Sequence, residues 1–165
     1  MMDDYAAAYD LGSCHWPVST TSDEAQLWFD RGVAWTFGFN HTEAIACYRR
    51  AVEADPDLAM AYWGIAYASG PNYNMPWWRF DPKGRADALA QAYDAAREAL
   101  ARSEGATPLE LRLIEALQAR YPQRDPVEDM KPWDAAFAEA MRAVHLAFPE
   151  SLDARSIFVE SLMQI

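Results

Sequence analysis

The sequence predicts an all-α fold, a right-handed solenoid of antiparallel helix hairpins with about seven helices. Three observations predict it. Between Trp28 and Pro56 the chain reads W-x2-R-G-x2-W-x8-A-x3-Y-x2-A-x4-P, the spacing of a helix-turn-helix unit of about 34 residues. After Pro56 part of that register returns, with Tyr62 and Ala66 where Trp28 and Gly32 stood. Beyond it, capping residues and prolines mark off segments of helical period up to the C-terminal residue, Ile165.

Taken in order, 1–20 lack periodicity and read as an N-terminal arm anchored by Trp16, and 21–165 read as one helical repeat domain. Thr21 and Glu24 have capping-box spacing, which opens a first helix running from about Ser22 to Phe37. Gly38 and Asn40 break it, and Asn40 caps a second helix that stops at Asp55-Pro56. Gly32 and Ala44 let the two helices approach closely while Trp28, Trp35 and Tyr48 fill the space beside them. A third helix covers Ala59 to Ala68. The next segment, Gly70 to Trp78, carries two prolines and two asparagines and must be a loop. Asp81-Pro82 starts an alanine-rich helix reaching Ser103, in which the buried alanine register is ambiguous. Thr107 and Glu110 form another capping box, with Leu111, Ile114, Leu117 and Tyr121 at helical spacing before Pro122. Pro132-Trp133 starts a helix that stops at Phe148-Pro149, and a last one runs from Ser151 to Ile165. Its apolar stripe, Ile157, Phe158, Leu162 and Ile165, has no downstream partner, which points to a longer array or to pairing with a second copy.

The Trp28–Pro56 unit resembles a tetratricopeptide repeat. The runs FGFNHTEAIACY from Phe37, AMAYWGIAY from Ala59 and GPNYN from Gly70 are similar to a bacterial group of tetratricopeptide proteins without an assigned activity. The likeness covers about 11–165, and Thr107-Pro-Leu-Glu and the closing VESLM fit it too. It implies the fold and an N-terminal piece of a longer chain, and it implies no reaction. Grooves of this family commonly hold protein or peptide partners. The family's carboxylate clamp needs a basic residue and an Asn where this chain has Phe29 and Val33, so that use is not expected.

Composition narrows the function. With 52% hydrophobic residues, 24% charged residues, seven Trp, eight Tyr and seven Phe in 165 residues, the chain is an ordered globular domain. A net charge of -11 with no basic run beyond Arg49-Arg50 argues against nucleic acid and anionic membrane surfaces, and favours a basic partner. Cys14 and Cys47 form neither a disulfide framework nor a C-x-x-C motif, and the N-terminus lacks the layout of a secretory signal. A cytoplasmic protein without a cofactor is therefore expected. Phosphate-binding glycine loops, G-x-S-x-G and H-E-x-x-H are all absent from the sequence.

Two candidate sites remain. The inner face of the first helices should carry Gln26, Phe29, Val33, Phe37, Met60, Trp63 and Tyr67, an aromatic, apolar groove for a helix or an extended peptide. The alternative is that the N-terminal arm or the loop covers this face. The loop itself, with Asn72, Tyr73 and Asn74 beside Trp77 and Trp78, is longer than a repeat requires. With His15 and His41 it offers a rival reading, a small-molecule or metal pocket. The spacing of Cys14, His15, His41 and Cys47 speaks against metal, and a turn-forming His41 with a core Cys47 is the simpler reading.

Overall fold

The computed structural model describes residues 9–165, so the first part of the expected arm, 1–8, lies outside the described residues. Among the described residues the chain is all-helical: α1 Asp23–Phe37, α2 His41–Ala54, α3 Ala59–Ser69, α4 Pro82–Ala101, α5 Pro108–Arg120, α6 Lys131–Ala147 and α7 Leu152–Leu162, with short 3-10 turns at Trp77–Arg79 and Ser103–Gly105. Each helix packs on the next, and α1 meets α3 as α3 meets α5. The contacts of α3 with both α1 and α5 place these three helices side by side in the stack.

The caps explain most boundaries. Asn40, Asp81 and Ser151 each accept a first-turn amide, and Thr107 and Glu110 complete a reciprocal capping box. The first helix departs from expectation: Ser22, not Thr21, caps α1 by accepting the Ala25 amide at 3.1 Å. The reason lies next door, where Thr20 donates to Asp55 at 2.5 Å and accepts from the Ser22 amide, fixing the entry one residue later.

The repeat signature reports one interlock. The Tyr48 ring of α2 is fully buried between two glycines, and a Cβ on Gly32 of α1 or on Gly64 of α3 would stand 2.4 or 2.5 Å from its Cε1. Tyr48 therefore joins three helices through their backbones. Its hydroxyl lies 3.0 Å from that of Thr36, and burial pushes the phenol above its ordinary range. A similar close approach follows at Gly70, where an added Cβ would meet the Tyr121 hydroxyl; that hydroxyl donates to the Ala66 carbonyl at 3.0 Å.

Along α4 the buried set is Leu89, Ala92, Ala95, Ala96 and Ala99, which resolves the register left open by the alanines. On α5 the buried stripe is Leu113, Ile114, Leu117 and Arg120, and Leu111 is only half-buried. The C-terminal stripe is corrected in the same way. Ile157 is fully buried against the core and Phe158 half-buried, whereas the exposed apolar residues of this end are Leu146, Leu152, Val159, Met163 and Ile165, with Leu162 at the margin. No described helix is long and apolar enough to cross a membrane.

Candidate functional site

The expected groove is filled. Phe29, Val33, Met60, Trp63 and Tyr67 are all buried, so they do not line an open surface, while Gln26 is half-buried and Phe37 is exposed away from them. What fills the groove at its α1 end is the N-terminal arm. Trp16 is buried with its indole edge-on to Phe29 at 5.9 Å and to Trp63 at 5.5 Å. Trp63 in turn stacks on Tyr67 and donates its indole N–H to the Leu113 carbonyl of α5 at 3.2 Å.

Side chains of the groove hold the arm by its main chain. Asp30 accepts the Trp16 amide at 2.9 Å and also meets the His15 ring at 2.8 Å. Gln26 donates to the Trp16 carbonyl at 2.9 Å and accepts the Val18 amide at 3.0 Å, an arrangement that reads two residues of extended chain with one carboxamide. Glu110, itself buried, accepts the Ser19 amide at 2.7 Å and the Ser19 hydroxyl at 2.5 Å while closing its own capping box. Aromatic anchor and backbone clamps are the two parts of extended-peptide recognition. Sequence reasoning placed Gln26, Phe29 and Trp63 on this face; it did not place Asp30 there, because an acidic helix residue in an acidic chain carries no distinguishing mark, nor Glu110, whose spacing from Thr107 was already explained by the capping box.

The loop residues have structural employment. Asn72 and Met75 exchange main-chain hydrogen bonds, and the Asn72 carboxamide oxygen accepts the amides of Asn74 and Met75 at 3.0 Å. Tyr73 is exposed and packs edge-on against Phe39, and the Asn74 carbonyl accepts from Arg79. Asn72 does approach His41, with its nitrogen 3.4 Å from Nδ1. Burial holds that imidazole below its ordinary range, with Glu160 acting against the shift and Arg120 with it. His15 has a different partner, Asp30, so the two histidines are not brought into one pair of ligands. Among the described residues no group of three or more His, Cys, Asp or Glu could hold a metal ion.

Behind the loop lies a polar cluster that was not among the expected sites. Arg120 is fully buried, with its guanidinium 4.5 Å from the Phe137 ring centroid, and Nη2 donates to the Pro71 carbonyl at 2.7 Å and to Gln164 at 2.8 Å. Gln164 donates to Glu160 at 2.7 Å, and Glu160 accepts from the Tyr67 hydroxyl at 2.6 Å. One network thus ties α3, the loop, α5 and the end of α7. Beside it Asp134 is buried in the first turn of α6 with Oδ1 unpartnered among the described residues. Burial pushes its carboxyl up to about 6, Arg120 opposing and Glu160 assisting.

This shift carries a sign for stability. Below the ordinary value of 3.8 Asp134 is neutral in both folded and unfolded chains; as pH rises from there to about 6 the unfolded chain ionises first, so folding loses stability until the folded group also ionises. Asp134→Asn should therefore gain on the parent above that window, by up to about 3 kcal/mol. The gain should shrink by most of that amount between about pH 7.5 and pH 4.5, read from urea midpoints. A difference independent of pH would remove the assignment.

Next to the network is a cavity of about 410 Å³, lined by Trp77, Trp78, Arg85, Met130, Asp134 and Gln164 among others. A larger open hollow of about 730 Å³ follows the arm past Thr20, Asp55, Arg102 and Glu110. No family model, curated protein or solved structure matches the chain.

Proposed function

We propose that the helices stack as a right-handed solenoid of the tetratricopeptide type and that the protein is a binding module for an extended peptide, with its own residues 15–20 as the resident occupant. The observation that carries this reading is the seating of Trp16 between Phe29 and Trp63 while Asp30, Gln26 and Glu110 clamp the main chain on either side of it. These clamps ask only for backbone amides and carbonyls, so specificity falls on the aromatic anchor and on the hydroxyl that meets Glu110. A competing partner is an extended segment with a bulky aromatic residue and no acidic residue near it, because Asp30, Asp55 and Glu110 line its path. Such a partner binds by displacing the arm, and the arm's affinity sets the threshold it must exceed.

A chain beginning at residue 21, titrated with a synthetic peptide of residues 9–20, tests the reading. The peptide should bind saturably, and the same peptide with Trp16→Ala should lose at least about a hundredfold, as expected for truncating a buried indole anchor. In the full chain Trp16→Ala should expose the arm to protease at residues 9–20 while most helicity remains. Equal binding by the two peptides, or an arm as protected as in the parent, would refute the groove assignment.

A further inference from the structure

Side chains that line the cavity beside Trp77 carry polar atoms without a partner among the described residues. Trp77 Nε1, Arg85 Nε and Asp134 Oδ1 are all buried, and all lack a hydrogen-bond partner among the described residues. Trp77 and Asp134 are each more than nine-tenths buried. An unmet buried donor or acceptor destabilises the fold, the more so when it is charged, and three of them belong to side chains that line one cavity. Two are donors and one is an acceptor. The start of α6 also borders the cavity, with its Lys131 amide donating to the Asp129 carboxylate at 3.0 Å and its Trp133 amide to the Met130 carbonyl. Pro76, Trp78, Met130 and Ala135 supply apolar wall, and Glu128, Asp129 and Lys131 add charged residues of both signs to the lining. A volume of about 410 Å³ suits a small molecule rather than a helix or a protein loop.

We propose that this cavity is a binding site for a small zwitterion with an apolar side chain, that is, a free aromatic or branched aliphatic amino acid. The carboxylate goes to the donors, Trp77 Nε1 and Arg85 Nε; the ammonium goes to Asp134; the side chain lies against Met130 and the indoles. Each partnership meets a group that is otherwise buried and unmet, and the two charges of the ligand match the two signs on the wall. The site shares no residue with the groove that holds the arm, so it stands whether or not that groove takes a peptide.

Calorimetric titration of the full chain with L-phenylalanine and L-leucine tests it, alongside phenethylamine, hydrocinnamate and N-acetyl-phenylalaninamide. One amino acid per chain should bind, and deleting either charged group should cost about tenfold or more, the worth of a charge-assisted hydrogen bond. Asp134→Asn should lower amino-acid affinity to the level of hydrocinnamate while leaving hydrocinnamate binding unchanged. Arg85→Met should lower it to the level of phenethylamine. Circular dichroism of both variants checks that they remain folded, and Asp134→Asn is expected to be the more stable of the two. Absence of saturable binding by both amino acids at millimolar concentration would overturn the proposal. Equal binding of the N-acetyl amide would do the same, since it would assign the cavity to a neutral apolar group.

Discussion

Arg120→Met should destabilise the fold by about 3–5 kcal/mol, the cost of removing one partner from a buried charged network. The substitution keeps the apolar bulk against Phe137 but abandons the Pro71 carbonyl and Gln164, and removes the buried cation that opposes the repulsion of Asp134 by Glu160. Arg120→Lys should not restore the parent, because a point charge cannot lie flat on Phe137 while donating to two separate acceptors. Adding Glu160→Gln to Arg120→Met should recover part of the loss, since it removes one of the charges left behind. Urea denaturation of the four chains decides the matter. A loss within about 1 kcal/mol for Arg120→Met would show that the network contributes little beyond packing.

The second large effect belongs to the glycines around Tyr48. Alanine is ordinarily the better helix former by about 1 kcal/mol, so Gly64→Ala on an open helix would stabilise. Here the new Cβ would lie 2.5 Å from a ring atom that is fully buried and held by Thr36, and the ring cannot retreat, because Gly32 backs it on its other face at a similar distance. Overpacking should win, at a net cost of about 1–3 kcal/mol. Gly32→Ala should cost a similar amount, and the double variant less than the sum, because one displaced ring relieves both contacts. Gly105, where an added Cβ meets nothing within 4 Å, is the control, and Gly105→Ala should stay within about 0.5 kcal/mol of the parent. If Gly64→Ala were as stable as that control, the interlock would not be the reason for the repeat spacing.

These two variants mark what was legible in the sequence. Trp28, Gly32, Tyr48 and Ala51 could be placed from spacing alone, because two packed helices need small and large residues at fixed offsets. Gly64 could not, since its reason is a ring from another helix and a lone glycine in a helical run reads as mere tolerance. Arg120 and Asp134 left a trace that sequence reasoning passed over. Each falls on the buried stripe of its own helix, Arg120 in line with Leu113 and Leu117, Asp134 in line with Phe137 and Met141. A charge on an apolar stripe is the sequence mark of a buried network or of a site. The groove was legible as a surface but not as a filled one. Nothing in the periodicity of α1 or α3 shows that Trp16 lies between Phe29 and Trp63, since that contact depends on how an aperiodic arm turns back onto the first helix.

Amide hydrogen exchange of the full chain tests most directly whether the arm occupies the groove. The amides of Trp16, Val18 and Ser19 point at Asp30, Gln26 and Glu110 rather than at a helix or sheet partner, so their protection reports those side-chain clamps alone. They should exchange slowly in the parent and at free-chain rates in Trp16→Ala, with the interior amides of α1 and α3 protected in both. Free-chain exchange at these three amides in the parent would contradict the account, because the groove would then be empty in solution.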